Sequence, residues 1–153
     1  MGEQGVALLE QHGFERYEVS AFGKIPSKHN LNYWQFGDYI GIGAGAHGKI
    51  TSLNTNEILR TRKPKSPKDY LNNQSSIVEK VENLSFEFML NALRLKQGFN
   101  LNLFEDRTGQ SPLAIERRLQ QAQDLDLLLI DNKQVKPSDK GYNFLNDLIE
   151  RFL

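Results

Sequence analysis

The sequence predicts an α+β fold, a fragment of a β/α barrel followed by a mostly helical, winged-helix-like domain. Three observations predict it. Residues 1–44 read as helix, strand, long loop and strand, the order of the later part of a β/α repeat, yet far too little to close a barrel. Beyond residue 80, three segments of helical period precede a two-stranded hairpin and a closing helix. Between them lies a basic stretch carrying Pro64 and Pro67, which reads as a connector. The expected organisation is a barrel remnant over 1–62, a linker over 63–80 and a winged-helix-like domain over 81–153.

Each element has a local reason. Residues 3–11 place Val6 and Leu9 on one side of a short helix, with Gly13 at the usual stop position. Residues 14–20 are rich in β-favouring Phe, Tyr and Val. Residues 21–37 hold Gly23, Pro26 and Gly37 without helical period and predict a long irregular connection, a length that in compact domains usually means function or disorder. Tyr39, Ile40 and Ile42 predict a second strand over 39–44. A hairpin is expected over 49–62 with residues 54–56 as its turn, then a short helix over 68–72 started by Pro67, then a polar piece over 72–79.

The C-terminal part is plainer. Residues 84–96 put Phe86, Met89, Leu90 and Leu93 on one helix face, with Gly98 just past the end. A short helix over 101–107 closes at Gly109. Ser111 and Pro112 are an N-cap and first-turn pair for a third helix that turns Ile115, Leu119 and Ala122 inward. Residues 127–130 and 134–136 form the hairpin, and Ser138 caps one last helix on which Tyr142, Leu145, Ile149 and Phe152 repeat. A barrel piece without its neighbours leaves strand edges and an apolar face. Either a second chain pairs with them, making a dimer, or the C-terminal helices cover them.

Composition narrows the function. Basic and acidic residues balance at 19 each, so global charge favours neither nucleic acid nor an anionic membrane. No apolar run approaches the roughly 20 residues of a membrane span, and the first ten residues lack the basic start and apolar core of a secretory leader. A cytoplasmic location is therefore expected. With no cysteine, the chain forms neither a disulfide nor a thiolate-ligated metal site. Spacing offers no Ser–His–Asp set and no paired-histidine metal site.

Residues 29–48, HNLNYWQFGDYIGIGAGAHG, crowd two histidines, the only tryptophan and alternating glycines together. Gly43-Ala44-Gly45-Ala46-His47-Gly48 fits the G-x-G-x-x-G pattern of dinucleotide folds. That pattern needs a helix at the glycines, and residues 49–56 are β-branched and asparagine-rich, so Rossmann-type binding is rejected. A strand ending in glycines still leaves backbone N–H groups that a ligand can touch, or else packs tightly on a neighbour. His29 beside Trp34 is, on spacing alone, a packed loop residue more often than a ligand. Glu15 and Glu18 read as one polar strand face, and His12 as a solvated cap.

These residues resemble a known family. YEVSAFGKIPSKHNLNYWQFGDYIGIGAGAHG is similar to the YEISNFA…HNxxYW…DYxGIGxGAH segment of the oxygen-independent coproporphyrinogen III oxidase-like radical S-adenosylmethionine (SAM) proteins. EFMLNALRLKQGFNLNLFEDRTG and GYNFLNDLIERFL resemble that family's C-terminal domain, and the HNxxYW hexad points to its heme chaperone (HemW-like) branch. The likeness runs from about residue 14 to the end. It implies a larger parent whose N-terminal barrel portion carries a CxxxCxxC motif, a [4Fe–4S] cluster and SAM, with this chain as the C-terminal portion only. Without cysteine, this portion runs no cluster chemistry.

The resemblance also implies roles. His29, Asn30, Tyr33 and Trp34 become heme-contact residues, an imidazole able to ligate iron while aromatic rings pack on the porphyrin. Gly43, Gly45, Ala46 and His47 become one wall of the SAM pocket, at the C-terminal mouth of a barrel strand. Expected partners are the N-terminal portion, heme and a heme-acceptor protein. The alternative within the family is the oxidase itself, which decarboxylates coproporphyrinogen III oxidatively. A third reading, a nucleic-acid-binding winged helix, has the basic 60–68 stretch in its favour. Against it, residues 81–153 hold 9 basic and 11 acidic side chains, and the presumed recognition helix carries only Arg117 and Arg118 beside Glu116.

Overall fold

The computed structural model describes residues 3–55, 57–72 and 75–153; the expected turn residue Asn56 and part of the polar piece after residue 72 lie outside them. The fold is α+β. The chain opens with α1 (Glu3–Gln11), β1 (Glu15–Glu18), β2 (Ala21–Gly23) and α2 (Lys28–Trp34). β3 (His47–Ser52), β4 (Glu57–Arg62), α3 (Pro67–Leu71) and β5 (Ile77–Lys80) follow. Then come α4 (Leu84–Ala92), β6 (Phe99–Asn100), α5 (Leu101–Thr108), a 3₁₀ turn (Pro112–Ala114) and α6 (Glu116–Asp124). β7 (Leu128–Asp131), β8 (Gln134–Pro137), α7 (Asp139–Asn143) and α8 (Leu145–Glu150) complete it. All strand pairs are antiparallel, in sheets β1-β2, β3-β4-β5 and β6-β8-β7.

The chain divides into two compact units. One joins Met1–Phe36 to Ser85–Leu153; the other is Gly37–Leu84. In the first, Phe88 is the hub of an aromatic cluster, edge-on to Phe36, Phe99 and Phe104 at centroid distances of 5.8, 4.9 and 5.2 Å. Ile115 just before α6, and Leu119 and Ala122 on it, are buried, as the period requires. The edge of β1 is covered by residues 94–96: Val19 N–H donates to the Arg94 carbonyl, and Lys96 N–H to the Tyr17 carbonyl. Gly98 is compelled twice over. Its φ is +64°, and a Cβ there would meet the Val135 carbonyl oxygen at 1.9 Å.

The second unit buries little apolar surface of its own. Ile58 and Val81 are its buried aliphatic residues, while Ile40, Ile42, Leu53 and Leu71 are exposed. Its best-buried side chain is Lys49, 2 % exposed, whose Nζ donates to Asp38 Oδ1 at 2.8 Å. Thr51 donates to the same carboxylate from its N–H and its hydroxyl.

Several local expectations are corrected. The irregular connection over 21–37 contains β2 and α2, because Ser27 accepts from Asn30 N–H and caps a helix whose polar hexad shows no apolar stripe. The strand over 39–44 reduces to one bridge, Tyr39 to Lys49, since Gly43 and Gly45 adopt φ of +106° and +72° and turn the chain. Within the linker over 63–80 the short helix expected after Pro67 is α3, but the polar piece that follows ends in a strand, β5, which pairs with β4 in antiparallel register. Within the C-terminal part, β6 adds a third strand to the hairpin, and the closing helix breaks at Phe144 into α7 and α8. Asn132 and Lys133 both take positive φ, the signature of a two-residue type I′ hairpin turn. No helix among the described residues is long and apolar enough to cross a membrane.

Burial alone would raise the Asp38 carboxyl, but hydrogen bonds from Lys49 and Thr51, with the Lys49 charge, hold it below its ordinary value of 3.8. A lowered folded value stabilises above the unfolded one and is lost as pH falls through it. Asp38→Ala should therefore lower unfolding free energy by about 1–3 kcal/mol near neutral pH, the range for stranding a buried charged donor. Denaturant melts should show that difference shrinking as pH falls through the carboxyl's lowered folded value. A difference independent of pH would contradict the pairing.

Candidate functional site

The hexad lies on α2 and divides by helical spacing. Asn30 and Trp34, four apart, face the protein's own packing. Asn30 Nδ2 donates to the Tyr17 hydroxyl at 3.0 Å, and the Arg94 guanidinium lies 4.4 Å from the Trp34 ring centroid. His29 and Tyr33, also four apart, form the neighbouring face, with ring centroids 4.8 Å apart and edge to face. His29 is exposed and Tyr33 half-buried. Two residues past the end of α2, Phe36 adopts φ +56° and buries its ring against Phe88. A bulky residue in that conformation persists only where its surroundings fix it, so the helix is pinned at its C-terminal end.

Behind α2 sits a polar cluster that the sequence did not single out as a unit. Glu18 is 1 % exposed; its Oε1 accepts from the N–H and hydroxyl of Ser20, and its Oε2 lies 3.8 Å from Arg94 Nη2. Arg16 donates to the Val19 carbonyl and stacks 5.0 Å from the Tyr142 ring centroid. The Tyr142 hydroxyl donates to the Arg94 carbonyl at 3.2 Å. The buried polar atoms without a hydrogen-bond partner among the described residues, Arg16 Nε, Glu18 Oε2, Trp34 Nε1 and Arg94 Nε, all belong to this cluster. Its only sequence signal was an arginine at the end of the apolar EFMLNALR helix and a glutamate in a strand, each unremarkable alone.

The glycine run lies in the other unit, and its backbone is used internally. Gly43 N–H donates to the Tyr70 hydroxyl, Gly45 N–H to the Pro64 carbonyl and Ala46 N–H to the Gly43 carbonyl. The bare backbone expected for cofactor contact is therefore taken up by the chain itself. Gly41 is sterically compelled, since a Cβ there would meet the His47 carbonyl oxygen at 2.1 Å. His47 begins β3 opposite Arg62 and exposes its side chain.

The donor set fits one group and excludes another. An exposed imidazole with an aromatic ring beside it can ligate a porphyrin-bound iron. A [4Fe–4S] cluster finds no thiolate here, because the sequence has no cysteine. Among the described residues there is no group of three or more His, Cys, Asp or Glu able to hold a metal ion. On α6, Arg118 donates to the carbonyls of Phe152 and Leu153, a tie to the chain's end in place of an outward-facing cation.

The fold is shared with part of a radical SAM enzyme. Over 98 % of its length the chain superposes on 39 % of the Escherichia coli coproporphyrinogen III oxidase HemN, a radical SAM enzyme, with a TM-score of 0.62 at 13 % identity. Residues 81–144 match the HemN C-terminal domain family. The heme chaperone HemW of Haemophilus influenzae is 42 % identical across 99 % of this chain and 40 % of its own length. That of Escherichia coli is 39 % identical across 99 % of this chain and 41 % of its own. The chain corresponds to a C-terminal portion of HemN- and HemW-type proteins. It spans about two-fifths of the length of the curated relatives it matches.

Burial pushes the Tyr142 phenol up to about 12; Arg16 and Arg94 oppose the rise and Glu18 adds to it. An acid whose folded value is raised contributes stability below its unfolded value and loses it as pH rises through the folded one. Ultraviolet titration should show one tyrosinate step near 12, absent from Tyr142→Phe. Complete tyrosine ionisation by about pH 11, with the protein still folded, would contradict the burial.

Proposed function

We propose that the chain is the heme-contacting part of a HemW-like heme chaperone, with α2 presenting His29 and Tyr33 to the cargo. The observation that carries this reading is the division of the hexad. Asn30 and Trp34 anchor the helix through Tyr17 and Arg94, which leaves the exposed His29 imidazole on the adjacent face. The identity to proteins named heme chaperones supports it. Heme is cargo here: His29 ligates iron, Tyr33 contributes an aromatic edge, and Trp34 and Asn30 hold the pair in place. The Arg94 stack is worth about 0.5–2 kcal/mol, enough to bias a seven-residue helix that would be marginal alone.

In the whole protein, SAM and a cluster are supplied by the N-terminal portion. The glycine run then joins a SAM wall through the exposed His47 side chain, since the N–H groups of Gly43, Gly45 and Ala46 are engaged. A heme-acceptor protein and a cytoplasmic location belong to the same reading. The fold likeness to HemN favours one second reading, oxidation of coproporphyrinogen III by the parent. Protoporphyrinogen formed by a full-length relative from coproporphyrinogen III, SAM and a reductant would select it.

Hemin titration of the chain, followed at the Soret band, tests the leading reading. His29→Ala should weaken binding at least about tenfold and change the band position, the loss of one axial ligand. Trp34→Phe should keep the band position and weaken binding less. An unchanged affinity and spectrum in His29→Ala would remove His29 from the site.

A further inference from the structure

The basic stretch read as a connector does more than connect. β4 ends at Arg62, paired with His47 on one side and Ile77 on the other. The chain beyond it is held to the glycine turn at two points: Lys63 N–H donates to the Ala46 carbonyl, and Gly45 N–H to the Pro64 carbonyl. Lys63 Nζ donates to Ser76 Oγ at 2.9 Å, drawing the segment toward β5. Ser66 then caps α3. The backbone that carries the three cations Arg62, Lys63 and Lys65 is therefore fixed by neighbours on both sides.

These side chains line a cavity of about 290 Å³ with Pro64, Ser75 and Ile77. None of the described lining residues is acidic. Elsewhere in the same unit, Lys49 and Lys80 are each paired with a carboxylate, Asp38 and Glu57. Like charges gathered around one concavity repel, and an anion relieves that repulsion while accepting from their N–H groups. Arg62 offers a planar fork, the lysines three donors each, and Ser75 a hydroxyl.

We propose that this cavity binds a small, multiply charged oxyanion, a phosphate- or carboxylate-bearing ligand, held by Arg62, Lys63 and Lys65. The glycine turn is its support: it fixes the backbone of the basic segment and leaves recognition to the side chains. The site shares no residue with the His29 face, and hemin titration of His29 variants reads neither its success nor its failure.

Isothermal titration of the 153-residue chain with inorganic pyrophosphate and, separately, with citrate tests it. At least one probe should bind saturably at low salt and more weakly at higher salt. Arg62→Gln/Lys65→Gln should weaken that binding at least about tenfold, as expected for the loss of two charge-assisted contacts. The control pair Lys96→Gln/Lys136→Gln, exposed lysines in the other unit, should leave it unchanged. Pyrophosphate binding alone assigns the phosphate class and citrate alone the carboxylate class; both binding supports the shared oxyanion chemistry. Neither probe binding, or equal weakening by both double variants, overturns the proposal. Thermal melts monitor the fold, and Lys65→Gln alone, outside any strand, keeps the test decisive if changing Arg62 disturbs β4.

Discussion

The structure around the hexad depends on one buried carboxylate. Glu18 sits in β1 almost without solvent, satisfied on one oxygen by Ser20 and facing the Arg94 guanidinium with the other. An uncompensated buried carboxylate costs several kcal/mol, so the pairing decides where residues 94–96 lie against β1. Arg94 in turn carries the Trp34 ring on its guanidinium, and its own carbonyl receives the Tyr142 hydroxyl and the Val19 N–H. One arginine thus joins the first strand, the hexad helix and α7. Replacing it with lysine would keep the charge but lose the flat surface on which the indole rests.

Much of the C-terminal architecture was legible because its signals are local. Ser111 and Ser138 accept from N–H groups at helix starts, Gly109 closes α5 with φ +69°, and Ile115, Leu119 and Ala122 face inward. The hairpin over 127–136 follows from apolar runs around a turn. The two-residue strand β6 escaped because it is too short for a period and is created only by pairing with β8. The closing helix was over-extended because the apolar spacing continues across Phe144, while the backbone there leaves the helical region.

The N-terminal part was harder for a physical reason. The family likeness singles out His29 to Gly48, and the two halves of that stretch use opposite logic. HNLNYW is a helix without an apolar stripe, stabilised by a serine cap, a tyrosine hydroxyl and an arginine stack, none of which a periodicity argument sees. The glycine run looked like exposed backbone, and its N–H groups instead close onto Tyr70 and Pro64. Apart from the local Ser27 cap, the partners in both cases lie well along the chain, so composition shows that something unusual is present without showing what it touches. Contacts of that kind are tertiary, and a local reading is blind to them.

The first unit is discontinuous: its opening 36 residues complete their packing with partners beyond residue 84. Synthesis from the N-terminus therefore releases β1 and the hexad helix well before Arg94, Phe88 or Tyr142 exist to receive them. During that interval Glu18 stays hydrated and β1 has an open edge toward residues 94–96. The nascent chain must close a loop of this span late, a step that is entropically slow. The order of emergence from the ribosome thus leaves the histidine-bearing helix among the last segments to acquire a fixed shape.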